Sequence, residues 1–248
     1  MIFTKDIKDI DTNVNAIYFI HIPKTSGTAL QSSRIKKLGH AFNIQGVYRT
    51  PDSLGGWRGY KTSVWRKYSY PIKNNLKITI IRNPFDLLCS YYFHGSKLNT
   101  NGKYCDSGWA SVNYTHQFKS FKEFIIAYCN PTFKWHHPLL KQFLFSQLFD
   151  ENNNCVPNII IKYEYLNKAI EVLNKNNFKI IKNRHTRIST NKKKHYTEYY
   201  DKEMINLVYK KCKRELETFK YNFNGSVDDN YFILPKDLKY NIKNDQLY

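Results

Sequence analysis

Cysteine is sparse and badly placed for chemistry. The five present, Cys89, Cys105, Cys129, Cys155 and Cys212, are an odd and scattered set. No Cys-x-x-Cys pair occurs, which argues against a metal cluster or a disulfide framework and for free thiols in a reducing compartment. Long apolar runs are missing as well. None approaches the roughly 20 residues needed to span a bilayer, and Met1-Ile-Phe-Thr-Lys-Asp-Ile-Lys-Asp9 lacks the apolar centre of a signal peptide. The expectation is a soluble, intracellular chain without a transmembrane segment. Acidic residues are scarce: 20 Asp and Glu stand against 39 Lys and Arg, for a net charge of +19. That balance favours anionic partners, namely a nucleotide, a nucleic acid, an acidic glycan or an anionic membrane surface. A Walker A loop is also absent, since no Gly-x-x-x-x-Gly-Lys-Ser/Thr occurs to hold a nucleoside triphosphate with Mg²⁺.

Against these absences stand 248 residues, 42% hydrophobic and 16% aromatic, enough for one large folded domain. The stretch that organises the chain runs from Ala16 to Leu30. Ala16 to Ile22 is apolar, β-branched and aromatic, and predicts a buried strand. Pro23 closes it, because it cannot donate to a ladder. Lys24-Thr25-Ser26-Gly27-Thr28 then makes a tight turn into a helix beginning near Ala29. Such a strand, turn and helix start gathers backbone N–H groups around an anion, with Lys24 adding a full positive charge. A second junction has the same construction. Leu76 to Ile81 predicts a strand and Arg82 its carboxyl end. Asn83 is a good N-cap, Pro84 suits the first helical position, and Asp86 complements the helix start. The helix runs on to about Gly95 and carries Ser90. Gly39 to Ile44 predicts a strand starting near His40, and Pro157 to Tyr163 another, followed by Glu164 and a helix over 166–176. Helices are expected over 118–129 and 135–149, an edge strand over 178–181, and an amphipathic helix over 200–219 with Met204, Val208, Cys212 and Leu216 on one face. Strands alternating with helices predict an α/β fold: a P-loop-like parallel sheet with helices on both faces, in one domain over 1–248, with a polar C-terminal tail from about residue 224. Ligands of such sheets bind at the carboxyl ends of the strands, which places Lys24, Arg82 and Glu164 on one edge.

Phe19-Ile-His-Ile-Pro-Lys-Thr-Ser-Gly-Thr28 resembles the 5′-phosphosulfate loop of sulfotransferases that use 3′-phosphoadenosine 5′-phosphosulfate (PAPS). Ile81-Arg-Asn-Pro-Phe-Asp86 with Ser90-Tyr-Tyr92 resembles their 3′-phosphate element. Ile160-Ile-Lys-Tyr-Glu-Tyr-Leu166 is similar to a later strand of that family, and Arg187 to Tyr200 to its C-terminal basic loop. The resemblance spans roughly residues 17–223 and is closest to the carbohydrate (heparan-sulfate-type) sulfotransferases. It departs at Leu87, where many relatives carry a basic residue. It implies a sulfotransferase fold and transfer of a sulfuryl group from PAPS to a carbohydrate hydroxyl, with no metal and no specific nucleic-acid partner. It also implies that Lys24, Thr25, Ser26, Gly27, Thr28 and Ala29 hold the 5′-phosphosulfate, and Arg82 and Ser90 the 3′-phosphate. His40 is the first choice as general base, for its position and its near-neutral pKa, and Glu164 the second. Lys193 and Tyr196, in the basic segment, either close over the nucleotide or line a channel for an acidic glycan. Two other classes stay open: a P-loop-type nucleotide kinase, and a non-enzymatic basic module that binds polyanions.

Overall fold

The computed structural model describes residues 1–7, 10, 16–20, 22, 24–25, 75–95, 115–133, 148–149, 154–176, 178, 194–236, 238–241 and 246–247. The chain forms two compact units. One comprises Met1–Arg82, Phe145–Thr186 and Asp228–Tyr248; the other comprises Asn83–Leu144 and Arg187–Val227. The strand expected over 39–44 and nearly all of the helix expected over 135–149 lie outside the described residues.

The first unit is built on a five-stranded sheet. Its strands are β1 (Ile2–Thr4), β2 (Ala16–Ile20), β3 (Asn75–Ile81), β4 (Ile159–Lys162) and β7 (Phe232–Leu234), in the order β1-β7-β4-β3-β2. The two-residue strands β5 (Tyr221–Asn222) and β6 (Gly225–Ser226) pair in the second unit, and β8 (Tyr240–Asn241) and β9 (Gln246–Leu247) in the first. β2, β3 and β4 are parallel, as their apolar β-branched runs predict. The other two correct the expectation of a purely parallel sheet, because β7 runs antiparallel to both β4 and β1. Phe232–Leu234, inside the tail expected to be polar, is therefore a buried strand between β1 and β4.

Side chains alternate across a strand, so Leu76, Ile78 and Ile80 of β3 share a face with Ile159 and Ile161 of β4 and with Phe232 and Leu234 of β7. Helix α3 (Leu166–Lys175) lays Leu166, Ala169, Ile170 and Leu173 onto that face, and these residues form one buried cluster with Phe178. The edge strand expected over 178–181 is represented only by Phe178, which is not in a strand. The opposite face holds Thr79, Ile160, Ile233 and Lys162, all buried.

The second unit is mostly helical. Its described helices are α1 (Pro84–Gly95), α2 (Phe121–Cys129), α4 (Lys202–Lys211), α5 (Lys213–Phe219) and short 3₁₀ turns at Thr115–Gln117 and Tyr196–Tyr199. α1 begins as its sequence predicts. The Asn83 side-chain oxygen accepts from the Phe85 amide at 3.0 Å, and its carbonyl accepts from Leu87 at 2.8 Å. The same side chain donates through Nδ2 to the Asn222 carbonyl at 2.8 Å. Asn83→Ala removes the cap and this tie together. It should lower stability by about 2 kcal/mol in chemical denaturation, while Asn83→Asp, which keeps the cap, should lose about half as much.

Apolar residues surround α1: Phe85, Leu87, Leu88, Cys89, Tyr91 and Tyr92 are all buried. Phe85 meets Tyr200, Tyr209 and Phe223 edge-on, and Tyr92 packs on Phe121 and Phe124. The fully buried Leu87 explains the departure from a basic residue there, because this position belongs to the core. The helix expected over 200–219 is two helices. It breaks at Cys212, whose φ of −104° and ψ of 19° leave the helical region, yet the stripe Met204, Val208, Cys212, Leu216 stays buried across the break.

Candidate functional site

The carboxyl ends of the three parallel strands define the site in the first unit. Lys24 and Thr25 follow β2, Arg82 follows β3, and Tyr163 and Glu164 follow β4. β3 lies between the other two, so Arg82 has a neighbour on each side. Its guanidinium donates through Nη1 to the Lys24 carbonyl at 3.0 Å on one side. On the other it stacks 4.4 Å from the centre of the Tyr163 ring. Register explains the second contact. Ile80 pairs with Ile161 and Ile81 with Lys162, so two residues on from Ile80 and Ile161 the same face carries Arg82 and Tyr163.

The turn after β2 is strained. Lys24 has φ 65°, in the left-handed region, where a non-glycine residue costs about 1–2 kcal/mol. Among the described residues the other non-glycine residue with positive φ is Lys220, which caps the C-terminus of α5 in an ordinary way. Lys24 ends no helix. The bonds that hold its turn include the one from Arg82 and that of the fully buried Thr25, whose hydroxyl donates to the Ile22 carbonyl at 2.7 Å. A bond from a charged donor contributes about 1.5–3 kcal/mol, enough to offset the strain. The backbone is thus held in a shape it would not keep by itself, with a lysine at its apex.

Lys24, Thr25, Arg82 and Glu164 therefore belong to one unit, with Arg82 bonded to the turn that Lys24 and Thr25 form. Glu164 is exposed in the 3₁₀ turn Tyr163–Tyr165. Ser90 and Tyr196 belong to the second unit. Ser90 is buried in α1. Tyr196 is buried, its hydroxyl donates to the Phe223 carbonyl at 2.7 Å, and its ring lies against His195. Ser26, Gly27, Thr28, Ala29, His40 and Lys193 lie outside the described residues.

Three residues that shape this edge of the sheet do not figure among the candidates drawn from the sequence. Tyr163 is one. The others are Lys162 and Asp228, joined by an ion pair of 2.7 Å in which Lys162 is fully buried. A lysine closing the run Ile159-Ile-Ile is a legible signal, because a charge beside a buried strand needs a partner.

The described cysteines, Cys89, Cys129, Cys155 and Cys212, are unbridged. Burial pushes the Cys129 thiol up to about 12 and that of Cys212 well above its ordinary value, so neither is a nucleophile at neutral pH. Among the described residues no group of three or more His, Cys, Asp or Glu could hold a metal ion, and no helix is long and apolar enough to cross a membrane. Compared with protein-family models, curated proteins and solved structures, the chain matches none.

Proposed function

We propose that this chain is a PAPS-dependent sulfotransferase acting on a hydroxyl of a carbohydrate acceptor. The observation that carries the reading is the left-handed Lys24 turn at the end of β2, bonded to Arg82 at the end of the neighbouring parallel strand. Such strand ends are where α/β sheets bind ligands, and a strained, braced turn bearing a cation suits an anion. The sequences Pro23-Lys-Thr-Ser-Gly-Thr28 and Ile81-Arg-Asn-Pro-Phe-Asp86 with Ser90-Tyr-Tyr92 resemble the nucleotide elements of that family.

In the reaction, an acceptor oxygen attacks the sulfur in line. The bond from sulfur to the bridging oxygen breaks, and adenosine 3′,5′-bisphosphate leaves with the electron pair. The acceptor proton passes to a base, His40 or Glu164. Lys24 stabilises the charge that develops on the leaving phosphate. Positioning and electrostatics supply most of the acceleration, as in phosphoryl transfer.

Calorimetric titration with adenosine 3′,5′-bisphosphate, against Mg-ATP, tests the reading. Tight binding of the bisphosphate and weak binding of Mg-ATP are expected. Arg82→Ala should weaken the bisphosphate by about 10²-fold, the worth of a few charge-assisted bonds. Preference for Mg-ATP would favour a nucleotide kinase. The net charge of +19 favours a second reading, a basic polyanion-binding module. Steeply salt-dependent binding of RNA or heparin, without binding of the bisphosphate, would establish it.

A further inference from the structure

We propose that Tyr163 is a positioning residue for the Lys24 turn: by stacking on the Arg82 guanidinium it aims the bond from Arg82 to the Lys24 carbonyl, and so fixes where the Lys24 ammonium meets an anionic ligand. The ligand class, a phosphosulfate nucleotide, rests on the reading above; the relay itself rests on geometry. Arg82 has a planar head that can stack and donate in its own plane at once. Tyr163 offers the ring face at 4.4 Å, and Lys24 the acceptor at 3.0 Å. Without the ring, the guanidinium loses the face that sets its plane toward a carbonyl whose residue sits in a strained conformation. Tyr163 is half-buried and packs against the sheet's apolar cluster, so its own placement follows from β4 and not from the ligand. Three adjacent parallel strands are thereby linked at their carboxyl ends, from β4 through β3 to β2.

The test compares Tyr163→Phe, which keeps the ring face, with Tyr163→Leu, which keeps apolar bulk alone. Two readouts are taken: the Lys24 amide and Cα resonances, which report its left-handed backbone, and calorimetric affinity for adenosine 3′,5′-bisphosphate. Tyr163→Phe should match the unaltered protein within about twofold. Tyr163→Leu should move the Lys24 resonances and weaken the bisphosphate about tenfold, the scale of one cation–π contact. Should the leucine variant fail to fold, Arg82→Lys serves instead, since an ammonium keeps the charge but lacks the planar fork; it should move the same resonances. Unmoved Lys24 resonances in Tyr163→Leu or Arg82→Lys overturn the relay. So does a leucine variant that binds the bisphosphate as tightly as the unaltered protein. If the unaltered protein binds no bisphosphate while Tyr163→Leu still displaces Lys24, the relay holds and the nucleotide reading fails.

Discussion

If the chain is the sulfotransferase proposed above, Lys24→Ala should all but abolish sulfuryl transfer, lowering the rate by about 10³-fold with stability almost unchanged. On that reading the ammonium acts where charge develops on the leaving phosphate, and loss of one such donor typically costs about 10²–10³-fold. A full positive charge in place of a neutral donor puts Lys24 at the upper end. Alanine keeps the left-handed strain at φ 65° and adds no relief. Lys24→Gly separates the two properties of this position. Glycine adopts positive φ without steric cost, so this variant should be more stable than the unaltered protein by about 1 kcal/mol and equally inactive. A melting temperature raised by glycine and not by alanine, with activity lost in both, is the expected pattern. Full activity of either variant on an identified acceptor would remove Lys24 from the chemistry. Failure of glycine to stabilise would show that the turn does not hold its left-handed form in solution.

Much of this site is legible in the sequence because the relevant signals are local. Asn83-Pro-Phe-Asp86 announces a helix start, and Asn83 caps it with the expected bond. Leu76 to Ile81 and Ile159 to Ile161 are too apolar and β-branched to be anything but buried strands, and they place Arg82 and Glu164 at strand ends. What escapes the sequence depends on register and on distant pairing. Nothing near Tyr163 says that its ring will meet Arg82, since that follows from the alignment of β3 on β4 across some eighty residues of chain. Ile2–Thr4 and Phe232–Leu234 are strands too short to show a period, and they become strands by pairing, Phe232–Leu234 with β4 and Ile2–Thr4 with Phe232–Leu234. A parallel sheet was the natural expectation from alternating strands and helices, and these two segments make it mixed. At Cys212 the apolar stripe continues while the backbone breaks, with no glycine or proline to mark the place.

Asp228→Ala should destabilise the first unit by about 3–5 kcal/mol, far more than Lys162→Met. The asymmetry follows from burial. The Lys162 side chain is wholly inaccessible, whereas that of Asp228 is 17% exposed. Removing the carboxylate takes the anionic partner from an ammonium that water cannot reach and leaves it over the Phe3 ring at 5.3 Å; removing the ammonium leaves a carboxylate that water can partly solvate. The segment that carries Asp228 is also tied down locally. Tyr165 donates its hydroxyl to the Asp228 carbonyl at 2.9 Å, and the Asn230 amide donates to the carboxylate at 3.2 Å. The pair therefore joins the end of β4 to the approach to β7. A pH dependence follows. Desolvation alone would push the Asp228 carboxyl up, but the Lys162 ammonium and the Asn230 amide outweigh it and hold it below its ordinary 3.8. A carboxyl with a lowered folded pKa contributes stability that is complete above the unfolded value. That contribution is lost as pH falls from about 4 through the folded pKa, so the unaltered protein should weaken there and Asp228→Ala should not share this term. Urea denaturation of the unaltered protein and of Asp228→Ala at about pH 3 and about pH 6 measures this, and an equal loss in the two proteins would show that Asp228 does not carry the acid dependence. The double variant Lys162→Met, Asp228→Ala removes the buried ammonium along with its carboxylate and should recover most of the loss, giving a coupling well above about 1 kcal/mol in the four-protein cycle. Because Tyr163 directly follows Lys162, only the single variant that keeps the buried ammonium without its carboxylate should also disturb the Lys24 turn.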